Sequence, residues 1–90
     1  MTGDAVLDAV RAIVEQVAGP TRTPAHADAD TPLARGYWLD SMELLEVVLA
    51  CEAHFRIAFR EGSDLAPENL ATLGSLVATV RARMSATRDQ

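Results

Sequence analysis

Three stretches of the chain repeat apolar residues at the spacing of one face of an α-helix, and this pattern limits the fold more than any other feature. The stretches cover residues 3–18, 41–54 and 73–84, where a period near 3.6 predicts amphipathic helices. Residues 67–70 predict one short helical turn, because proline stands at its favoured first position. The alternating run at residues 57–59 is too short for a sheet. We therefore predict an all-α fold, an irregular four-helix bundle of three longer helices and one short helix.

A long polar loop separates the first two predicted helices. Gly19 and Pro20 should end the first helix, and no period holds from residue 20 to residue 39. A loop of this length is unusual in a small domain and often serves a function. We expect the large apolar residues near its end to anchor it to the core: Leu33, Tyr37, Trp38 and Leu39.

Length and charge narrow the class of protein. Ninety residues predict a single domain over residues 1–90, with its core in about 3–84. The chain has thirteen acidic residues and eight basic ones, all of them arginine. The resulting net charge of −5 argues against a nucleic-acid partner. Neither a signal sequence nor an apolar run of membrane-spanning length is apparent. We expect a cytoplasmic monomer that does not enter a membrane.

The dipeptide Asp40-Ser41 stands where the second helix should begin. Asp40 is a good N-cap, and Glu43 is placed to complete a capping box. Ser41 would then offer a hydroxyl at a helix N-terminus, where unpaired N–H groups and partial positive charge favour a phosphate. His54 lies about four turns further along, so it cannot serve Ser41 as the base that a serine hydrolase needs. We predict a hydroxyl that another protein modifies, and a plain helix cap remains the alternative.

The apolar stripe of the second helix is broader than a helix with one buried face needs. We expect some of its side chains to face solvent or a partner, and Val48 could belong either to that patch or to the core. Cys51 falls on the inward stripe and should be a small buried residue, with no disulfide framework possible for a single cysteine. The candidate partner-binding residues are Trp38, Met42, Glu43, Leu45, Glu46, Leu49 and Glu52.

Residues 30–80 resemble the acyl carrier protein family, most clearly over residues 39–55. The signature of that family is Asp-Ser-Leu at the start of the second helix, where this chain has Asp40-Ser41-Met42. The segment from residue 64 to residue 73 also resembles the third-helix region of such carriers. Methionine in place of leucine should be a mild change, because the two side chains have similar volume.

The resemblance implies a carrier rather than an enzyme. It implies that Ser41 is esterified by 4′-phosphopantetheine, which a separate phosphopantetheinyl transferase donates from coenzyme A, and that Asp40 caps the helix or helps the transferase recognise it. The thiol of that arm would hold acyl groups as thioesters. The implied partners are acyl-loading, acyl-transferring or condensing enzymes of fatty-acid, polyketide or related specialised biosynthesis.

The chain departs from the family pattern in two places, and two alternative functions stay open. The family often has a glycine before the position of Leu39, whereas this chain has Tyr37-Trp38 there. The second helix of this chain is also less acidic than in fatty-acid carriers, because arginines flank its glutamates. An aminoacyl or peptidyl carrier would use the same arm, although those carriers more often show Gly-Gly-x-Ser. An unmodified helical adaptor would use Asp40-Ser41 only as a cap.

Overall fold

The computed structural model describes residues 4–88 and is built from helices. In chain order these are α1 (Ala5–Ala18), α2 (Leu33–Gly36), α3 (Ser41–Phe55), a 3₁₀ turn (Pro67–Leu70) and α4 (Leu73–Arg88). Within the described residues there is no β-strand, only an isolated bridge between the long loop and the start of α4. The prediction of an all-α bundle is confirmed.

The helix ends follow local capping chemistry. Asp4 caps α1 by accepting a hydrogen bond from the Leu7 N–H at 3.1 Å. Gly19 ends α1 with φ 83° and ψ 166°, a conformation essentially restricted to glycine. Thr72 caps α4 by accepting from the Ser75 N–H at 3.0 Å. Helix α4 continues to Arg88, so the predicted end at residue 84 was wrong.

The core lies where α1 packs against α3 and α4. Each of these helices contributes a buried stripe at the predicted spacing, and the prediction of a buried Cys51 is confirmed. Val48 also belongs to the core rather than to an exposed patch. Among the helix residues whose side chains the structure describes, the buried ones are Val10, Val14, Ala18, Val47, Val48, Cys51, Leu73, Leu76, Val77, Thr79 and Val80.

The long loop contains α2, a short helix that the sequence pattern does not predict. Leu33, Tyr37 and Leu39 are buried as predicted, but the prediction that Trp38 anchors the loop was wrong, because its side chain is 65% exposed. Its two neighbours already fill the core positions, and the backbone at Trp38 is left-handed with φ 56°.

Backbone hydrogen bonds attach this loop to the beginning of α4. The Leu33 N–H donates to the Ala71 carbonyl at 3.0 Å, and the Leu73 N–H donates to the Thr31 carbonyl at 2.9 Å. The loop therefore returns to the bundle just before the chain enters α3.

In the part of the chain that the structure covers, none of the helices combines the length and the apolar character that crossing a membrane requires.

Candidate functional site

Two residues form a reciprocal capping box at the start of α3. The Asp40 carboxylate accepts from the Glu43 N–H at 2.8 Å, and the Glu43 carboxylate accepts from the Asp40 N–H at 3.2 Å. Both bonds were predicted from the spacing of the two residues. They fix the direction in which the chain enters the helix.

Ser41 is the first residue of α3, and its side chain is exposed. The first intrahelical bond runs from the Leu44 N–H to the Asp40 carbonyl at 2.9 Å, so the N–H groups of Ser41 and Met42 have no carbonyl within the helix to bind. A group attached to the Ser41 hydroxyl would lie close to these donors and to the positive end of the helix dipole.

Arg22 contacts this site from the long loop, and no motif in the sequence indicates this role. Its two terminal nitrogens donate to the two carboxylate oxygens of Glu43 at 2.9 and 2.5 Å. The same guanidinium donates to the Trp38 carbonyl at 3.0 Å and, through Nε, to the Ala18 carbonyl at 2.9 Å. No spacing rule pairs Arg22 with Glu43, because 21 positions separate them.

The ion pair changes the titration of its carboxyl group. The hydrogen bonds from Arg22, followed by the Asp40 N–H, lower the pKa of Glu43 from 4.5 to about 2. The same contact raises the pKa of Arg22. The pair is thus charged throughout the physiological pH range.

An exposed apolar face begins beside Ser41 and runs along α3. Met42, Leu45 and Leu49 are 67%, 48% and 55% exposed, and their separations of three and four residues place them on one side of the helix. Trp38 lies just before this face in the chain and is also exposed. The expectation that part of the apolar stripe faces outward is confirmed, whereas its role in partner binding stays a prediction.

The three glutamates of α3 have different surroundings. Glu43 is partly buried against Arg22, and the carboxylate of Glu52 accepts from the Phe59 N–H at 2.8 Å. Glu46 is exposed. Two of the three predicted acidic partner contacts are thus also engaged within the chain, and Glu46 presents the more accessible charge.

The two histidines lie in different parts of the structure. His54 is in the last turn of α3, where its ring meets Phe55 edge to face at 4.7 Å, about 20 Å along the helix from Ser41. His26 lines a groove between α1 and the long loop, together with Arg11 and Glu15. Among residues 4–88, no group of three or more potential metal ligands is clustered.

No family model, no curated protein and no solved structure matches the chain. Membership of the acyl carrier protein family therefore stays a prediction.

Proposed function

We propose that this protein is an acyl carrier whose Ser41 bears a 4′-phosphopantetheine arm. The observation that supports this function best is an exposed serine hydroxyl at the first position of a 15-residue helix, preceded by the aspartate that caps that helix. The arm, when attached, supplies a thiol that holds an acyl group as a thioester. The carrier itself performs no catalysis, and we expect it to act as a cytoplasmic monomer.

The residues around Ser41 fit an attached phosphodiester. The N–H groups of Ser41 and Met42 lie at the positive end of α3, where an anion is stabilised. Asp40 caps the helix through one carboxylate oxygen. Because this side chain is exposed, the transferase could also contact it.

The apolar face of α3 suits brief contact with several enzymes. Met42, Leu45 and Leu49 form a narrow exposed stripe, and the carboxylate of Glu46 lies within one helical turn of them. A partner with an apolar depression edged by basic residues would complement this face. A phosphopantetheinyl transferase and acyl-loading, acyl-transferring or condensing enzymes of fatty-acid, polyketide or related biosynthesis are the partners we propose.

A helical adaptor is the second candidate, and a specific observation favours it. Asp40 and Glu43 satisfy each other in the capping box, so neither needs a modified serine to explain its presence. The exposed apolar face would then bind a partner directly.

Modification of Ser41 distinguishes the two candidates. The purified protein is incubated with coenzyme A and a phosphopantetheinyl transferase of broad specificity, and its intact mass is measured. We expect a gain of one phosphopantetheine, which Ser41→Ala abolishes. Ser63→Ala is the matched control, because Ser63 is also exposed but lies in the turn after α3, and this variant should gain the full mass.

Other outcomes would contradict the proposal. A folded protein that gains no mass with several transferases would favour the adaptor, and a gain that persists in Ser41→Ala would assign the modification to another residue. Once the arm is attached, loading with acyl or aminoacyl groups would separate an acyl carrier from an aminoacyl or peptidyl carrier.

A further inference from the structure

One guanidinium joins three parts of the chain around the start of α3. Arg22 donates through Nε to the carbonyl of Ala18, the last residue of α1, and through a terminal nitrogen to the carbonyl of Trp38. Both terminal nitrogens also bind the carboxylate of Glu43. A planar guanidinium can make such a set of bonds at once, whereas an ammonium group lacks the required fork of donors.

These bonds hold the short segment that leads into Ser41 at both of its ends. At one end Arg22 binds the Trp38 carbonyl. At the other end the Asp40 N–H donates to Glu43, the residue that Arg22 pairs with. Arg22 and Glu43 together therefore fix the position of Asp40, and of Ser41 directly after it: Arg22 holds the chain before Asp40, and Glu43 holds Asp40 itself.

The backbone conformation of Trp38 should favour a movement of this segment when the bonds from Arg22 are lost. Trp38 has φ 56°, a left-handed conformation that is unfavourable for a bulky residue. Its indole is mostly exposed, so side-chain packing contributes little to holding it there. The hydrogen bond from Arg22 to the Trp38 carbonyl acts directly on this strained peptide.

We propose that Arg22 is a positioning residue for Ser41: by joining Ala18, Trp38 and Glu43 it holds the serine in the orientation that a modifying enzyme must meet. The enzymatic part of this proposal rests on the proposed carrier function. The conformational part, that Arg22 maintains the segment from Trp38 to Asp40, does not.

The enzymatic test compares the rate of phosphopantetheine transfer to variants of the folded carrier, with kcat and KM for the carrier measured separately. Arg22→Gln should lower kcat by about tenfold, because a small misplacement of a reacting group is costly, and should leave KM unchanged, since the exposed face of α3 is retained. Arg22→Lys should fall between this variant and the wild type. Arg11→Gln is the matched control, because it removes another partly exposed arginine with a carboxylate partner, Asp8, and it should behave as the wild type.

A second variant keeps the test valid if Arg22→Gln folds poorly. In Glu43→Gln the side-chain oxygen can still accept from the Asp40 N–H, as glutamine does in capping boxes, but the charge that Arg22 pairs with is gone. Glu43→Gln should by itself reduce kcat, and wild-type kcat in this variant would overturn the proposal. Where Arg22→Gln folds, the double variant Arg22→Gln/Glu43→Gln should be no slower than Arg22→Gln alone. Strictly multiplicative effects would show that the two side chains act independently and would overturn the proposal.

Residue-resolved NMR supplies a readout that needs no modifying enzyme. The Trp38 indole signal is unambiguous, because the chain has one tryptophan. In Arg22→Gln we expect this signal to shift and the Asp40 and Glu43 amides to exchange faster with solvent, with the amides in the middle of α1 and α4 unchanged. Arg11→Gln should alter none of these signals.

Each result decides between positioning and the alternatives. Wild-type kcat in Arg22→Gln would overturn the proposal and leave the carrier function intact. Faster exchange throughout the bundle, with kcat and KM changed together, would assign Arg22 a general structural role and would also overturn it. If the wild-type protein is not modified at all, the carrier function fails, and the exchange rates of Asp40 and Glu43 alone decide whether Arg22 holds this segment.

Discussion

The amide of Gly74, in the first turn of α4, donates a hydrogen bond of 2.8 Å to the carbonyl oxygen of Ala29 in the long loop. This contact brings the two backbones so close that a Cβ atom on residue 74 would lie 2.8 Å from that same oxygen. This bond adds to those through which the start of α4 holds the loop. Such a close approach requires that residue 74 has no side chain.

We predict that Gly74→Ala destabilises the protein, although alanine is the better helix former. The gain in helix propensity is at most about 1 kcal/mol, whereas forcing the loop away from α4 should cost about 1–3 kcal/mol. Urea denaturation measures the difference. Gly62→Ala is the control, since a Cβ there meets nothing within 4 Å, and its free energy of unfolding should change by less than about 0.5 kcal/mol. A Gly74→Ala variant that is more stable than the wild type by about 1 kcal/mol, the full gain in helix propensity, would show that the loop yields without cost.

The ion pair of Arg22 and Glu43 predicts a specific pH dependence. The pKa of Glu43 is lowered from 4.5 to about 2 in the folded protein, so the pair stabilises the fold fully above pH 4.5 and this stabilisation is lost as the pH falls toward 2. The wild type should therefore be more stable than Arg22→Gln at neutral pH, and the difference should shrink as the pH falls through that interval.

Comparing variants at each pH isolates this pair from other carboxyl groups. Asp4 also has a lowered pKa because of its hydrogen bond with Arg81, but that contact is common to the wild type and Arg22→Gln and cancels in the difference. A stability difference that stays constant from pH 7 to pH 2 would exclude Glu43 as the carboxylate that Arg22 stabilises.

The exposed apolar face of α3 should contribute little to stability. Leu49 is more than half exposed, whereas Leu76 in α4 is completely buried. Leu49→Ala should change the free energy of unfolding by less than about 0.5 kcal/mol, and Leu76→Ala should lower it by about 2–5 kcal/mol. Thermal or chemical unfolding checks both values. A large loss in Leu49→Ala would mean that this side chain supports the fold and is not available to a partner.

Cys51 should react with thiol reagents only when the bundle opens. Its side chain is completely buried, and burial, with a smaller effect of Glu52, raises the pKa of its thiol to about 11. Alkylation by iodoacetamide should be slow in buffer and should accelerate in proportion to the unfolded fraction when urea is added. Rapid alkylation in the absence of urea would contradict the buried position. If the arm is attached to Ser41, its thiol should react first, so that one fast thiol marks the modified form.

Much of the fold could be predicted because it depends on neighbours within one helical turn. The core stripe of α1, with Val10 and Val14, follows from apolar periodicity. The cap of α3 follows from Asp40 and Glu43, which lie three positions apart. Helix α2 was not predicted, because its four residues are too few to show a helical period.

Local sequence specifies that three amphipathic helices form, that Asp40 caps the middle one and that a serine hydroxyl stands at its start, since each of these features depends on residues a few positions apart. Packing of the whole chain is what brings Arg22 to Glu43 and Ala29 to Gly74, and what leaves Trp38 in solvent while Tyr37 and Leu39 are buried. The first two contacts join residues that are far apart in the chain. The third feature separates adjacent apolar residues between the core and the solvent. They form only when the long loop folds back onto the packed helices, because the space and hydrogen-bonding partners that fix the loop are supplied by those helices.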